Sequence, residues 1–147
     1  IIEHIRYLCL EKTINQMNLK EMKKNEENKS ALDFFHAKPN NWNCAQTIAK
    51  AYQGITRATD DDIEATLRSK GGGKAEGGLC GALYSATQIL GADSPEAKAL
   101  LEEFRSRLGA TQCHSLKAEL HIPCNDTVNL ADELLEKYLS QQQERLQ

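Results

Sequence analysis

The chain has 147 residues, a formal net charge of −3 and five cysteines, a length that suits one domain with a sizeable buried core. The slight excess of acidic over basic residues excludes binding to nucleic acid through a basic surface. The sequence has no apolar run of about 18 residues and no signal-peptide pattern. We therefore expect a cytoplasmic protein without direct membrane insertion.

The first part of the chain differs in composition from the rest. After a few apolar residues near its start it is almost entirely polar, and the charge-rich run Lys20–Glu27 has little to bury. We predict an appendage over residues 1–28, helical or frayed, with Cys9 apart from the other cysteines. The helical domain is expected to span residues 29–147.

Apolar residues recur at helical spacing in successive segments from residue 30 onward, and capping residues flank these segments. Asn43 is expected to cap the second helix and Gly54 to end it, while Asn125 or Asp126 caps the last. No segment alternates as a strand does, so we predict an all-α fold, a compact bundle of about five or six short helices with a glycine-rich loop. The predicted helices cover residues 30–37, 44–53, 59–70, 82–90, 96–108, 114–120 and the C-terminal segment after residue 124.

Glycine is concentrated between residues 71 and 82, where it fills six of twelve positions. This loop leads into a helix whose start is Cys80, so we predict that backbone N–H groups and the helix dipole lower the pKa of that thiol. Gly77, Gly78 and Gly81 are the candidates for binding a cofactor through the backbone. Lys74 is a candidate for binding an anion or lowering a thiol pKa. The alternative is a flexible loop followed by a buried, unreactive cysteine.

Four of the five cysteines fall at predicted helix starts: Cys44, Cys80, Cys113 and Cys124. Four thiols directed at one centre either pair as disulfides or bind a metal or cluster. Four thiolates without a counter-charge carry too much negative charge to be buried away from water. Their separations of 36, 33 and 11 residues lack the short spacing of a zinc knuckle or a C-x-x-C motif. An iron–sulfur cluster can be assembled from scattered cysteines and therefore remains a candidate.

Two histidines lie near the last two cysteines. His114 follows Cys113 directly, and His121 precedes Cys124 with a ligand-like spacing. Either imidazole could complete a metal site, although an exposed or capping histidine is the more ordinary role.

The residues around the cysteines resemble the C_GCAxxG_C_C family of redox-active proteins. Cys80-Gly81-Ala82, set behind a glycine-rich loop, is similar to the family's CGAxxG motif, and Ser85 stands where the motif has its final glycine. The resemblance covers residues 31–139. The other segments that resemble the family's cysteine segments are residues 43–46, 104–113 and 124–135.

The resemblance implies redox activity through the four shared cysteines. In this interpretation they are the redox-active thiols and, where a metal is bound, its ligands. Three hypotheses stay open: an electron-transfer protein with an iron–sulfur cluster, a thiol–disulfide redox protein or sensor without a cofactor, and a non-catalytic helical module with structural metal. The expected partner is another redox protein, and a homodimer is left open.

Overall fold

The computed structural model of the chain describes residues 24–146 and has the predicted all-α fold, with two isolated bridges and no strand in that range. None of the helices in that range is both long and apolar enough to cross a membrane. Single 3₁₀ turns cover Arg68–Lys70 and Glu76–Gly78, and a π-helical turn covers Ser115–Glu119. The α-helices are α1 (Ala31–Phe34), α2 (Cys44–Ala51), α3 (Gln53–Thr56), α4 (Asp60–Leu67), α5 (Gly81–Leu90), α6 (Pro95–Leu108) and α7 (Cys124–Leu146).

The predicted N-terminal appendage falls mostly outside the described residues, as does Cys9. Within the described range, Asn25 is buried and its side-chain amide donates to the carbonyl oxygen of Ala51 over 2.7 Å. The chain is therefore held against the end of α2 from this residue onward, and the boundary at residue 28 stays a prediction.

Capping residues set several helix starts where the sequence predicts them. The Asn43 side chain accepts from the backbone N–H of Gln46, and the Gln46 side chain accepts from the Asn43 N–H, which closes a capping box at α2. At α6, Ser94 accepts from the N–H of Ala97, and proline occupies the first turn. Gly109, in the left-handed conformation with φ 94°, ends α6 as predicted.

The prediction that Gly54 ends the second helix is wrong. Gly54 does not end it but lies inside α3, and the left-handed residue is Arg57, with φ 66°. The helical path continues for another turn because Ile55, 2 % exposed, extends the buried stripe of Ile48 and Tyr52.

Two other predicted boundaries also differ. The first helix stops at Phe34, because the N–H of His36 donates to the carbonyl oxygen of Trp42 and turns the chain back. The last helix begins at Cys124, where the Pro123 carbonyl accepts the first helical hydrogen bonds, so Asn125 and Asp126 lie in its first turn instead of capping it.

Helix α5 lies at the centre of the molecule and packs against α2, α6 and α7. All its residues are buried except Gln88, which is half-buried. Ser85 packs directly against α2, where its hydroxyl donates to the Ala45 carbonyl over 2.6 Å. The serine that replaces the motif's last glycine is thus accommodated and hydrogen-bonded, and it fixes α5 against the first turn of α2.

A buried polar contact joins the end of α2 to α7. The Tyr52 hydroxyl donates to Asp132 Oδ1 over 2.6 Å, and the Ala31 N–H donates to the other carboxylate oxygen over 2.9 Å. Burial and, to a smaller extent, the neighbouring Asp132 carboxylate raise the pKa of Tyr52, so its phenol stays a hydrogen-bond donor. This contact sets α1, α2 and α7 relative to one another.

We expect Tyr52→Phe to lower the free energy of unfolding by about 1.5 kcal/mol, because the buried Asp132 carboxylate loses a donor. Urea denaturation monitored by circular dichroism measures the change. The control is Tyr138→Phe, which removes a hydroxyl bonded to the half-buried carboxylate of Glu103 and should cost less than about 1 kcal/mol. Equal costs for the two variants would contradict the structural role of the Tyr52 contact.

Candidate thiol site

The four predicted site cysteines come from separate parts of the chain and line one small cavity of about 20 Å³. Cys44 and Cys124 are the first residues of α2 and α7, Cys80 immediately precedes α5, and Cys113 starts the helical segment before the π-helical turn. The structure therefore brings together all four. The other residues that line the cavity are Gly72, Gly81, Leu116, Lys117 and Thr127.

The contact between α2 and α5 at this cavity requires glycine at position 81. A Cβ atom added to Gly81 would lie 2.5 Å from Cys44 Sγ, and also 3.1 Å from the Lys70 carbonyl oxygen and 3.2 Å from the Ala45 nitrogen. Contacts of 2.5 Å are well below van der Waals distance, so the sulfur of Cys44 occupies the space that a side chain would need. Gly81 thus lies in the thiol site itself.

The glycine-rich loop is joined to the segment that contains Cys113. The Cys80 N–H donates to the Thr111 carbonyl over 2.8 Å, and Leu79 forms an isolated bridge with Gln112. The Gln112 side chain donates to the Gly77 carbonyl over 3.0 Å. These bonds hold the second and third cysteine segments side by side, which their separation of 33 residues does not reveal.

The thiols differ in accessibility, and all four are free. Cys44 and Cys80 are buried, with 7 % and 5 % of their surface exposed, whereas Cys113 and Cys124 are half-buried. An outside reactant therefore has access to Cys113 and Cys124 and not to the two buried thiols.

The predicted lowering of the Cys80 pKa is wrong. Burial, with a smaller contribution from Cys44, raises the pKa of this thiol to about 11. The N–H groups of Leu83 and Ala82 act in the opposite direction, as expected at a helix start, but they do not offset the loss of hydration. Cys80 is thus a protonated, buried thiol at neutral pH.

In the reduced, metal-free protein, we expect the alkylation rate of Cys80 to rise with pH until about 11. Iodoacetamide labelling followed by mass spectrometry measures the profile, with urea-unfolded protein as the control. Because the folded pKa lies above the unfolded value of about 8.5, this thiol's contribution to stability is complete below that pH and is lost as pH rises towards 11. A rate plateau near pH 8.5 in the folded protein would disprove the burial argument.

Lys117 is a site residue that the sequence analysis missed. It lines the cavity, and a hydrogen bond with Cys124, together with smaller effects of Cys113 and Cys44, raises its pKa. In return, Lys117 partly opposes the rise that burial imposes on the pKa of Cys113. The available signal was its spacing, one helical turn after Cys113. Lys74, the lysine predicted to bind an anion or lower a thiol pKa, is exposed and lines neither this cavity nor the cleft beside it.

A wider cleft of about 420 Å³ lies beside the thiol cavity and shares Gly72, Cys113 and Lys117 with it. Gly77 and Gly78 line this cleft and have positive φ angles of 69° and 72°. His114 also lines it, whereas His121 does not. The remaining lining residues are Gly73, Gln112 and Ala118.

The four thiols have the donor chemistry that zinc and iron–sulfur clusters prefer. Within residues 24–146, however, no group of three or more histidine, cysteine, aspartate or glutamate side chains is arranged to hold a metal ion. A cavity of about 20 Å³ has room for roughly one water-sized group. The thiols as arranged therefore do not fit a cluster of several iron and sulfur atoms.

Residues 42–138 match the sequence model of a family described as "Putative redox-active protein (C_GCAxxG_C_C)". The match includes all four cysteines of the cavity and all the described residues that line the cleft, and it supports a redox role. No curated protein and no solved structure matches the chain.

Proposed function

Because the chain belongs to the C_GCAxxG_C_C family of redox-active proteins, we propose that it performs thiol–disulfide redox chemistry at Cys44, Cys80, Cys113 and Cys124. The observation that supports this proposal is that four thiols from four separate segments line one cavity. Thiols held in a common cavity exchange disulfides rapidly, because the attacking and attacked sulfurs are already close.

The chemistry begins at a half-buried thiol. When it is deprotonated, its sulfur attacks one sulfur of an outside disulfide, forms a mixed disulfide and releases the other half as a thiolate. A second cavity thiol, deprotonated in turn, then attacks the protein-bound sulfur, forms a disulfide within the chain and releases the remaining half. Two protein thiols are thereby oxidised, two electrons reduce the outside disulfide to two thiols, and the reverse sequence restores the protein. Lys117 offsets negative charge on thiolates in the cavity.

The second candidate is an iron–sulfur or other metal centre for electron transfer. The observation that favours it is the number of thiols, since one disulfide uses two and the cavity has four. In this proposal the four cysteines are the ligands, and Gly77, Gly78 and Gly81 hold the group through their backbones. Binding would require the glycine-rich loop to move away from the Cys113 segment, because the cavity is too small as it stands.

We propose the cytoplasm as the compartment, since a reducing environment keeps thiols free. Another redox protein is the proposed partner that returns the site to its resting state. A structural metal in a non-catalytic module is the third hypothesis and is an outcome of the test below.

The test is to purify the protein without oxygen, measure iron, sulfide and zinc, and then count free thiols across a series of redox buffers. Thiol–disulfide chemistry predicts no stoichiometric metal and the reversible loss of two thiols per chain at one midpoint potential. The control Cys9→Ser should leave that midpoint unchanged. Stoichiometric iron and sulfide would establish the second candidate instead, and stoichiometric zinc with no redox transition would leave only a structural role.

A further inference from the structure

The wider cleft shares part of its lining with the thiol cavity, and Cys113 is the cysteine that lines both. This cysteine lines both spaces, and its side chain is half-buried. Cys44 and Cys80 line the inner cavity only and are buried. A molecule in the cleft therefore has Cys113 within its binding surface and the other thiols behind it.

Glycines keep the cleft beside Cys113 open. A Cβ atom added to Gly73 would lie 3.3 Å from the Cβ of Cys113, closer than most real contacts, and φ is 84° at this position. Cβ atoms added to Gly77 and Gly78 would meet no atom of residues 24–146 within 4 Å, so these two residues form a wall without side chains. The resulting volume of about 420 Å³ lies in the range of small-molecule sites, roughly 300–1,000 Å³.

The lining of the cleft favours a negatively charged occupant. It contains the Lys117 ammonium group, the His114 imidazole and the Gln112 amide, and none of the lining residues within the described part of the chain is acidic. Because Lys117 also lines the thiol cavity, it is near both an occupant and the sulfur of Cys113. A carboxylate on the occupant would therefore be attracted to the same end of the cleft as the reactive thiol.

We propose that this cleft binds a small-molecule disulfide bearing carboxylate groups, and that Cys113 is the thiol that attacks it. The inference rests on the proposed thiol–disulfide function and adds the substrate class and the entry residue. The Cys113 thiolate attacks one sulfur of the bound disulfide and forms a mixed disulfide, and the other half leaves as a carboxylate-bearing thiolate. A cavity thiolate then attacks the Cys113 sulfur, forms the internal disulfide and releases the second half, so that two electrons and both leaving groups are accounted for.

The test compares three probes on the reduced full-length chain: oxidised glutathione, which is negatively charged, bis(2-hydroxyethyl) disulfide, which is neutral, and cystamine, which is positively charged. Samples are quenched in acid, and the first adduct is located by peptide mass mapping. We expect the first adduct on Cys113 with the first two probes, and the fastest reaction with oxidised glutathione.

Lys117→Gln tests the charge argument. We expect the ratio of the oxidised-glutathione rate to the cystamine rate to fall by about fivefold. A general change in thiol reactivity affects both rates alike and therefore cancels in this ratio. Lys117→Arg should keep the ratio, and so should the control Lys98→Gln, which removes an exposed lysine from α6 outside the cleft. Circular dichroism verifies that each variant is folded.

Three results would overturn the inference. The first is a first adduct on Cys124, the second is a charge preference that survives Lys117→Gln, and the third is exchange with a protein disulfide but with none of the small probes. In all three the internal disulfide still forms, so the proposed function survives. If no oxidant produces an internal disulfide, the proposed function itself is overturned.

Discussion

Gly81→Ala is expected to lower the free energy of unfolding by about 2–3 kcal/mol and to slow formation of the internal disulfide. The new methyl carbon would lie 2.5 Å from Cys44 Sγ, and also 3.1 Å and 3.2 Å from two backbone atoms. Cys44 must therefore move, or α2 and α5 must separate, and Ser85 then loses its bond to the Ala45 carbonyl. Urea denaturation measures the stability, and loss of free thiols in oxidised glutathione measures the chemistry.

The comparison variant is Gly78→Ala, which adds the same methyl group at a position with φ 72° and with no atom of residues 24–146 within 4 Å. Its cost is therefore backbone strain alone, whereas the cost of Gly81→Ala, at a position without positive φ, comes from the steric conflict with sulfur. If Gly81→Ala leaves both stability and the rate of disulfide formation unchanged, Cys44 does not lie against α5, and the geometry of the site is wrong.

The second large effect is expected from the double variant Gly77→Ala, Gly78→Ala. Both residues have positive φ, 69° and 72°, a conformation that costs a residue with a Cβ atom about 1–2 kcal/mol. Because neither methyl group meets another atom of the described residues, we expect a loss of about 2–4 kcal/mol in the free energy of unfolding and an unchanged midpoint potential. Thermal and urea denaturation measure the first quantity, and redox buffers measure the second.

The double variant also distinguishes the two candidate functions. Loop glycines that hold a cluster through backbone N–H groups affect its potential, since hydrogen bonds to sulfur help to set that potential. A shifted midpoint accompanied by lower iron content would therefore favour the metal centre over thiol–disulfide chemistry. The measurements require folded protein, so the single Gly78→Ala variant serves if the double variant does not fold.

Local sequence patterns predict most of the helices, because a helix start depends on nearby residues. Asn43 and Ser94 cap their helices through bonds to residues three positions later, and that spacing is visible in the chain. The errors occur where distant contacts decide. Gly54 has the composition of a helix end, yet the burial of Ile55 keeps the path helical until Arg57.

In the candidate site, too, nearby residues predict some features and distant contacts decide the others. Helix starts and a family resemblance were sufficient to select the four cysteines, whereas their order of reactivity depends on burial. Cys80 has the local N–H groups that favour a thiolate, but packing in the centre of the fold raises its pKa. The contact between Gly81 and Cys44 joins residues 37 positions apart and has no local signature. The position of Lys117 does have a local signature, because a residue four positions after Cys113 lies on the same face of a helical segment.

Disulfide mapping of the oxidised protein tests the central claim most directly. The protein is oxidised in glutathione buffer, its remaining thiols are blocked at low pH, and its linked peptides are identified by mass spectrometry without reduction. We expect one internal disulfide per chain between two of Cys44, Cys80, Cys113 and Cys124, because these residues line the same cavity. Metal-free protein that keeps all four thiols free at oxidising potentials, or that forms disulfides only through Cys9 or between chains, would contradict it.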